Sequence, residues 1–533
     1  MLSSLIMPSD TTFDSLSPLA KILISKFETK EMKNTDKKIS VNILVSKVAY
    51  WYEKVRTVMD YGNEETLLRR AIERILKRRL LLDTNANSVA QMSVRELVWA
   101  GYFPDESVPE SIINRVSDSI ALFLELKKRI LREKVLSEGK IDQFIVELLS
   151  SEIQTILIPN TEKEVMANFM FQIVKKRVEI EDDEKRVKDA QVFIAVRKNF
   201  ARDDIAFLRY RLFIQIFGKL TENNLENTVA NFKAGYKEIE YQLNYPRKDR
   251  IFNHIKNTTP PFLILYDILL EQKSNIENLI KNEEAFKQKV FEVCENRYSS
   301  IHKKLKTAII RSFLFILFTK AFIAIFVEGT FERIFFGHIS WFSITLNIII
   351  PPLLMISLPL LIQIPGGENS QRIFLNIRKI LFEENPPLIQ TLMVKRKTNS
   401  FKTIRDYVFF LLWLLTFFLS FGFVTFILTK LNFDILSQGI FLFFVAIVAF
   451  LTYRIYQTAN MYTIFVKPNV LAPLADFFFV PIIRIGRRLT EGIAQINFIL
   501  IIIDFIIEAP FKGLVGFFEQ WFLFLAIKRE EME

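Results

Sequence analysis

Cysteine and histidine are nearly missing from this chain. A single cysteine, Cys294, excludes an intramolecular disulfide framework, and three scattered histidines, His254, His302 and His338, are too few to build a Cys/His metal site. Glycine is scarce at 15 residues, and none of the patterns that cradle phosphates or present nucleophiles occurs: GxxxxGKS/T, GxGxxG, GxSxG and HExxH are all missing. The paired acids Asp182-Asp183 and Asp203-Asp204 lie among charged helical residues and read as solvated faces, because neighbouring acids alone say little about a metal. No cofactor and no catalytic residue is indicated, so the expectation is a protein that is not an enzyme. The first ten residues lack both the basic and the long apolar region of a cleaved signal peptide. The N-terminal portion is therefore expected to stay on the side of the membrane where it is made.

Apolar residues are abundant, phenylalanine above all with 52 copies. Four apolar stretches, 309–327, 339–364, 407–428 and 435–456, each approach the roughly 20 residues that cross a hydrocarbon core as a helix. The fold class expected is all-α: a helical cytosolic domain over residues 1–300, a membrane domain with four transmembrane helices over 301–460, and an amphipathic segment or further hairpin over 461–533. The formal charge of +11 divides almost evenly, +6 within residues 1–308 and +5 beyond. A nucleic-acid binder would concentrate that excess on one domain, so nucleic acid is not an expected partner. The bilayer, a protein partner of the helical domain and a second copy of the chain are. Many Phe, Lys, Ile and Asn residues fit a bacterial source and hence a cytoplasmic membrane.

Within the first 300 residues, apolar positions recur at helical spacing. Ile112, Ile113, Val116, Ile120, Phe123, Leu124, Ile130 and Leu131 define one amphipathic helix, and the same pattern predicts helices over 43–59, 67–82, 144–156, 166–178, 189–200 and 205–217. Ser93 with Glu96, Ser107 with Glu110 and Thr161 with Glu164 have the spacing of reciprocal helix caps. Arg69, Arg70, Arg74, Lys77, Arg78 and Arg79 make a basic helix that either meets anionic headgroups or forms an ordinary solvated surface. No proline or glycine interrupts residues 262–327, which predicts either one rigid connection into the first span or two helices bent near Ser299-Ser300.

Basic residues alternate between connections: Lys303, Lys304 and Lys306 precede the first span, eight Lys or Arg lie within 365–405, and the connections at 328–338 and 430–434 hold few. By the positive-inside rule, both termini are cytoplasmic. Pro351, Pro352 and Pro359 are candidates to kink or break the second span, as broken helices do in transporters. Lys320 lies near the middle of the first span, and an ionisable residue there is a functional candidate. Two roles are open to it. It either lines a pore or relay, the alternative function being a transporter or channel, or it snorkels toward Glu328 and the headgroups, in which case Lys320→Met should leave or raise stability. In 492–527 the polar residues Asn497, Asp504, Glu508, Lys512 and Glu519 share an arc of about 80° on one helix face. That stripe favours a helix lying in the interface, with Asp504, Glu508 and Lys512 toward water, over a membrane hairpin that would bury Glu519.

Overall fold

The computed structural model describes residues 16–27, 38–39, 50, 53, 64–133, 136–181, 185–273, 275–335, 337, 339–360, 365–388, 391–394, 402–464 and 479–489, with 517, 521 and 524. Helix dominates throughout, as the all-α expectation requires. Two compact units emerge, one built around Ser17–Thr259 with Glu383–Val394, the other around Pro260–Phe382 with Lys395–Leu500.

The first unit contains α1 (Pro18–Phe27), α2 (Glu64–Leu82), α3 (Ala86–Trp99), α4 (Ser111–Arg132), α5 (Glu138–Leu157), α6 (Thr161–Val174), β1 (Val178–Ile180), α7 (Lys185–Val196), α8 (Ile205–Phe217), α9 (Leu225–Leu243) and α10 (Lys248–Lys256). On α4 the helical spacing puts Val116, Ile120, Phe123, Leu126 and Ile130 on one buried face. That face joins a single core with Ile72 and Leu76 of α2, Leu97 of α3, Leu148 of α5, Phe213 of α8 and Phe232 of α9. Gly235 permits the closest approach in this core, since a Cβ there would lie 2.2 Å from the Phe217 ring. Gly218, at φ +79°, ends α8 in a conformation that glycine adopts without strain. The helix expected over 43–59 falls almost wholly outside the described residues, as do Asp182 and Asp183.

The three expected caps do not form. Asn85 caps α3, accepting from the Asn87 and Ser88 amides, and Asn160 caps α6, accepting from Lys163. Ser107 instead donates to the Pro104 carbonyl, and α4 starts after an uncapped Glu110. Ser93 and Glu96 sit buried in the middle of α3, where Glu96, 1% exposed, accepts from both Arg78 and Arg79. A buried carboxylate needs such partners.

The basic helix α2 directs Arg69, Arg74, Arg78 and Arg79 to carboxylates of its own unit, while Lys77 stays exposed. Arg69 donates to Asp204 and Glu73 at 2.7 Å each and to Ser150 at 3.2 Å, Arg74 pairs with Glu53 at 2.5 Å, and Lys77 reaches Glu73 at 2.8 Å. Asp203 and Asp204 are likewise internal partners rather than solvated acids, with Asp203 held by Arg197 at 2.7 Å. Residues 383–394 return to this unit. Its strand β2 (Leu392–Val394) pairs in parallel with β1, Val178 opposite Leu392 and Ile180 opposite Val394, while Lys176 and Arg177 donate to Asn385 at 2.8 Å.

The second unit opens with α11 (Thr259–Glu271), whose first turn carries Pro260 and Pro261, and α12 (Ile276–Lys281). Then α13 (Glu283–Ile323) runs as one helix straight through Ser299-Ser300, so the bent alternative does not hold. A π-helical turn, Ala324–Glu328, joins it without a break to α14 (Gly329–Phe335), extending the helix eight residues past the expected end of the first span. After α15 (Trp341–Leu360), α16 (Gly367–Phe382), α17 (Lys402–Lys430) and α18 (Ile435–Ala459) complete the unit, with a further helical segment at 479–489.

Among the described residues, three helices are long and apolar enough to cross a membrane: Glu283–Phe335, Tyr407–Lys430 and Ile435–Tyr462. Trp341–Ser357 is apolar but shorter by the same measure. The helix assignment of α15 continues through Pro351, Pro352 and Pro359, so the expected break is not seen. Proline removes one amide donor per position, a loss that neighbouring helices make good in membrane helices.

Candidate functional site

Water-soluble units bury apolar groups and expose charge. The second unit does the reverse along its apolar helices: Phe315, Phe318, Phe322 and Phe326 are 61–69% exposed, while Lys320 and Glu328 are 0% exposed. Such an exterior suits hydrocarbon, and the charges enclosed by it are the candidate site.

Lys320 Nζ lies 2.8 Å from Glu328 Oε1, with neither side chain accessible. Eight residues separate them, which in an uninterrupted α-helix would set them about 80° apart around the axis. The π turn at Ala324–Glu328 takes up one extra residue and closes that angle to about 20°. The second carboxylate oxygen, Oε2, accepts from Asn347 Nδ2 on α15. Asn347, also 0% exposed, lies within 3.4 Å of the Ser437 carbonyl on α18. The Lys320 ammonium sits 5.0 Å from the centroid of the Phe444 ring, a cation–π approach from the same helix. One ion pair thus ties α13, α15 and α18 together, charge balanced and shielded. Polar groups join membrane helices in this way because apolar contact supplies no driving force there.

A second polar contact lies nearby. Glu332 Oε2 accepts from the Ser340 amide at 2.6 Å, and Ser343, 1% exposed, donates to the Asn432 carbonyl at 3.3 Å. Two groups in this region carry no hydrogen bond, Asn347 Oδ1 and Ser437 Oγ.

Of the residues singled out in the sequence, Lys320 is central, and its partner is Glu328 as the snorkelling alternative anticipated, reached inside the helix packing rather than at the headgroups. Asp504, Glu508 and Lys512 lie outside the described residues. Pro351 stands one turn after Asn347, so the amide that would bond the Asn347 carbonyl is missing. Asn347 itself escaped notice, although a lone amide within an apolar run carries the same signal as Lys320. Among the described residues, no three of His, Cys, Asp and Glu converge as metal ligands. No family model, curated protein or solved structure matches this chain.

Proposed function

We propose that this is a non-enzymatic membrane protein whose helical domain is held at the cytoplasmic face by four spans, where it organises a protein partner, the membrane surface or a second copy of the chain. The observation that carries this reading is the closure of Lys320 on Glu328 and Asn347. An ion pair enclosed by three helices serves cohesion, whereas a transport path needs charges that exchange partners with a passing solute.

The strand pair supports the four-span layout. Residues 392–394 belong to the same unit as residues 178–180, so a chain that leaves that unit and crosses through α13 must cross back before 383. Among the described residues between them, α15 is the apolar helix, which supports reading it as the second crossing. Basic residues on the 365–405 connection put that side in the cytoplasm.

Reconstitution into vesicles tests the function. Proton, potassium and chloride flux should equal that of protein-free vesicles, and measurable flux abolished by Lys320→Met would replace the anchor with a transporter. A photo-crosslinking residue at Leu82, 76% exposed at the end of α2, should join the chain to a partner or to its own copy.

A further inference from the structure

In the helical unit, an open cleft of about 220 Å³ lies among Gln154 of α5, the first turns of α6 and α8, and Arg197 through Asp204. Five basic side chains border it, Arg69, Lys163, Arg197, Arg202 and Arg211, against the three acids Glu164, Asp203 and Asp204. Asp204 is committed to Arg69 and to capping α8 through the Phe207 amide, and Asp203 to Arg197. Glu164 must therefore serve two guanidinium groups, taking Arg197 at 2.8 and 3.1 Å and Arg211 at 2.5 Å. Arg197 also has Asp203, so Glu164 is the one carboxylate that the cleft sets against Arg211. Burial and the neighbouring Arg197 push the Arg211 guanidinium below its ordinary value even with Glu164 beside it.

Two polar groups here stand ready for a ligand. Arg211 Nε is buried and has no hydrogen-bond partner, and Gln154, 7% exposed, has a buried Oε1 without one. Such groups are costly to leave unpaired, so each marks a position where a partner atom would be gained. The Arg211 plane is held by the Phe207 ring, 5.0 Å from its central carbon. The backbone is distinctive as well: a π-helical turn, Arg197–Ala201, runs into Arg202 at φ +60°, a left-handed conformation uncommon for arginine. Local strain of that kind collects at binding sites.

We infer that this cleft binds a small phosphate ester bearing a hydroxyl group, its phosphate oxygens on Arg211 beside the first turns of α6 and α8, and its hydroxyl donating to Gln154 Oε1. Guanidinium groups and helix N-termini both favour phosphate. The volume suits a guest smaller than drug-sized ligands, which need about 300 Å³ or more, and a phosphorylated polyol is of that size. The same chemistry is offered by a free polyol phosphate and by a phospholipid headgroup, and the test separates them.

Full-length protein in detergent is titrated calorimetrically with glycerol 3-phosphate, inorganic phosphate and glycerol. In parallel, its melting is compared in nanodiscs of phosphatidylcholine alone and with phosphatidylglycerol. Glycerol 3-phosphate should bind more tightly than phosphate, and glycerol not at all. Arg211→Gln should weaken both phosphates by about tenfold or more, the loss of a charge-assisted hydrogen bond. Gln154→Leu guards against misfolding as an explanation. It removes an unpaired acceptor and so should leave the free protein at least as stable, while lowering affinity for glycerol 3-phosphate and sparing inorganic phosphate. An Arg211-dependent gain in melting temperature with phosphatidylglycerol, without binding of soluble glycerol 3-phosphate, would assign the site to a headgroup. No binding of either kind, or binding indifferent to both substitutions, overturns the inference. None of these outcomes depends on flux or on the number of spans.

Discussion

Lys320→Met removes the ammonium from a site where, among the described residues, the carboxylate of Glu328 has one other direct donor, the Asn347 amide. Breaking a buried pair from one side costs about 3–5 kcal/mol, since the surviving charge keeps its desolvation penalty and loses its counter-ion. This is the opposite of what the snorkelling alternative predicts, since that alternative took the lysine to reach water. Glu328→Leu should cost a similar amount by stranding Lys320 against the Phe444 ring. The double variant should recover, because replacing both charges by apolar groups of similar volume is often neutral or stabilising, and Asn347 keeps the Ser437 carbonyl as acceptor. The assay is reversible unfolding in mixed micelles, titrating sodium dodecyl sulfate and following helicity for all four proteins. The coupling energy from that cycle should be about 3 kcal/mol or more. Single variants within about 0.5 kcal/mol of wild type, or losses that simply add, would refute the enclosed pair.

Topology can be read with a membrane-impermeant maleimide: Ile435→Cys, at 90% exposure, should be modified from outside, and Glu368→Cys only after permeabilisation, the reverse pattern sinking the orientation. Ser437, although close by, is a poor probe because it is 1% exposed. Cys294, 0% exposed on α13, should stay unlabelled in the native protein and react on unfolding, so the wild-type chain needs no cysteine-free background; fast native labelling would show that the packing around α13 opens. Acid sensitivity should centre on α2. Burial opposes ionisation of Glu73, but Arg69 and Lys77 outweigh it and hold the carboxyl below its usual value of 4.5. A depressed carboxyl stabilises the fold above that value and loses the contribution as pH falls through the folded one. Glu73→Gln should thus lower stability at pH 7 and flatten the acid limb of the melting profile, and an unchanged limb would count against the pairing.

Periodicity carried the helices well. The positions of α4 and α8 follow from apolar spacing alone, because burying one face of a helix needs nothing from the rest of the chain. Caps were misplaced for a related reason: Ser93 and Glu96 have cap spacing, yet Glu96 is the acceptor for two arginines from α2, a tertiary fact that no local window contains. The same limit made Asp203 and Asp204 look solvated and left α2 open between a lipid-facing and a solvated surface. Lys320 was visible as a charge out of place and Glu328 as the acid toward it, but their meeting inside the helix packing depended on the π turn, which rotates Glu328 onto the lysine's face and leaves no signature in composition. The return of residues 392–394 to β1 was equally hidden, three residues of strand being too short to show an alternating pattern.

The π turn at 324–328 also fixes how this helix tolerates a change in its length. A codon lost between Lys320 and the turn, with the turn kept, would rotate Glu328 by about 100° relative to the lysine. A codon lost within 324–327 has a different outcome, because the turn already holds one residue more than an α-helix accommodates. Removing Ile325 would let the segment relax to regular pitch with Lys320 and Glu328 seven residues apart, still on one face, and with α14 keeping its orientation. Between Lys320 and Glu328, the turn is thus the place where a shortened chain keeps its charges paired.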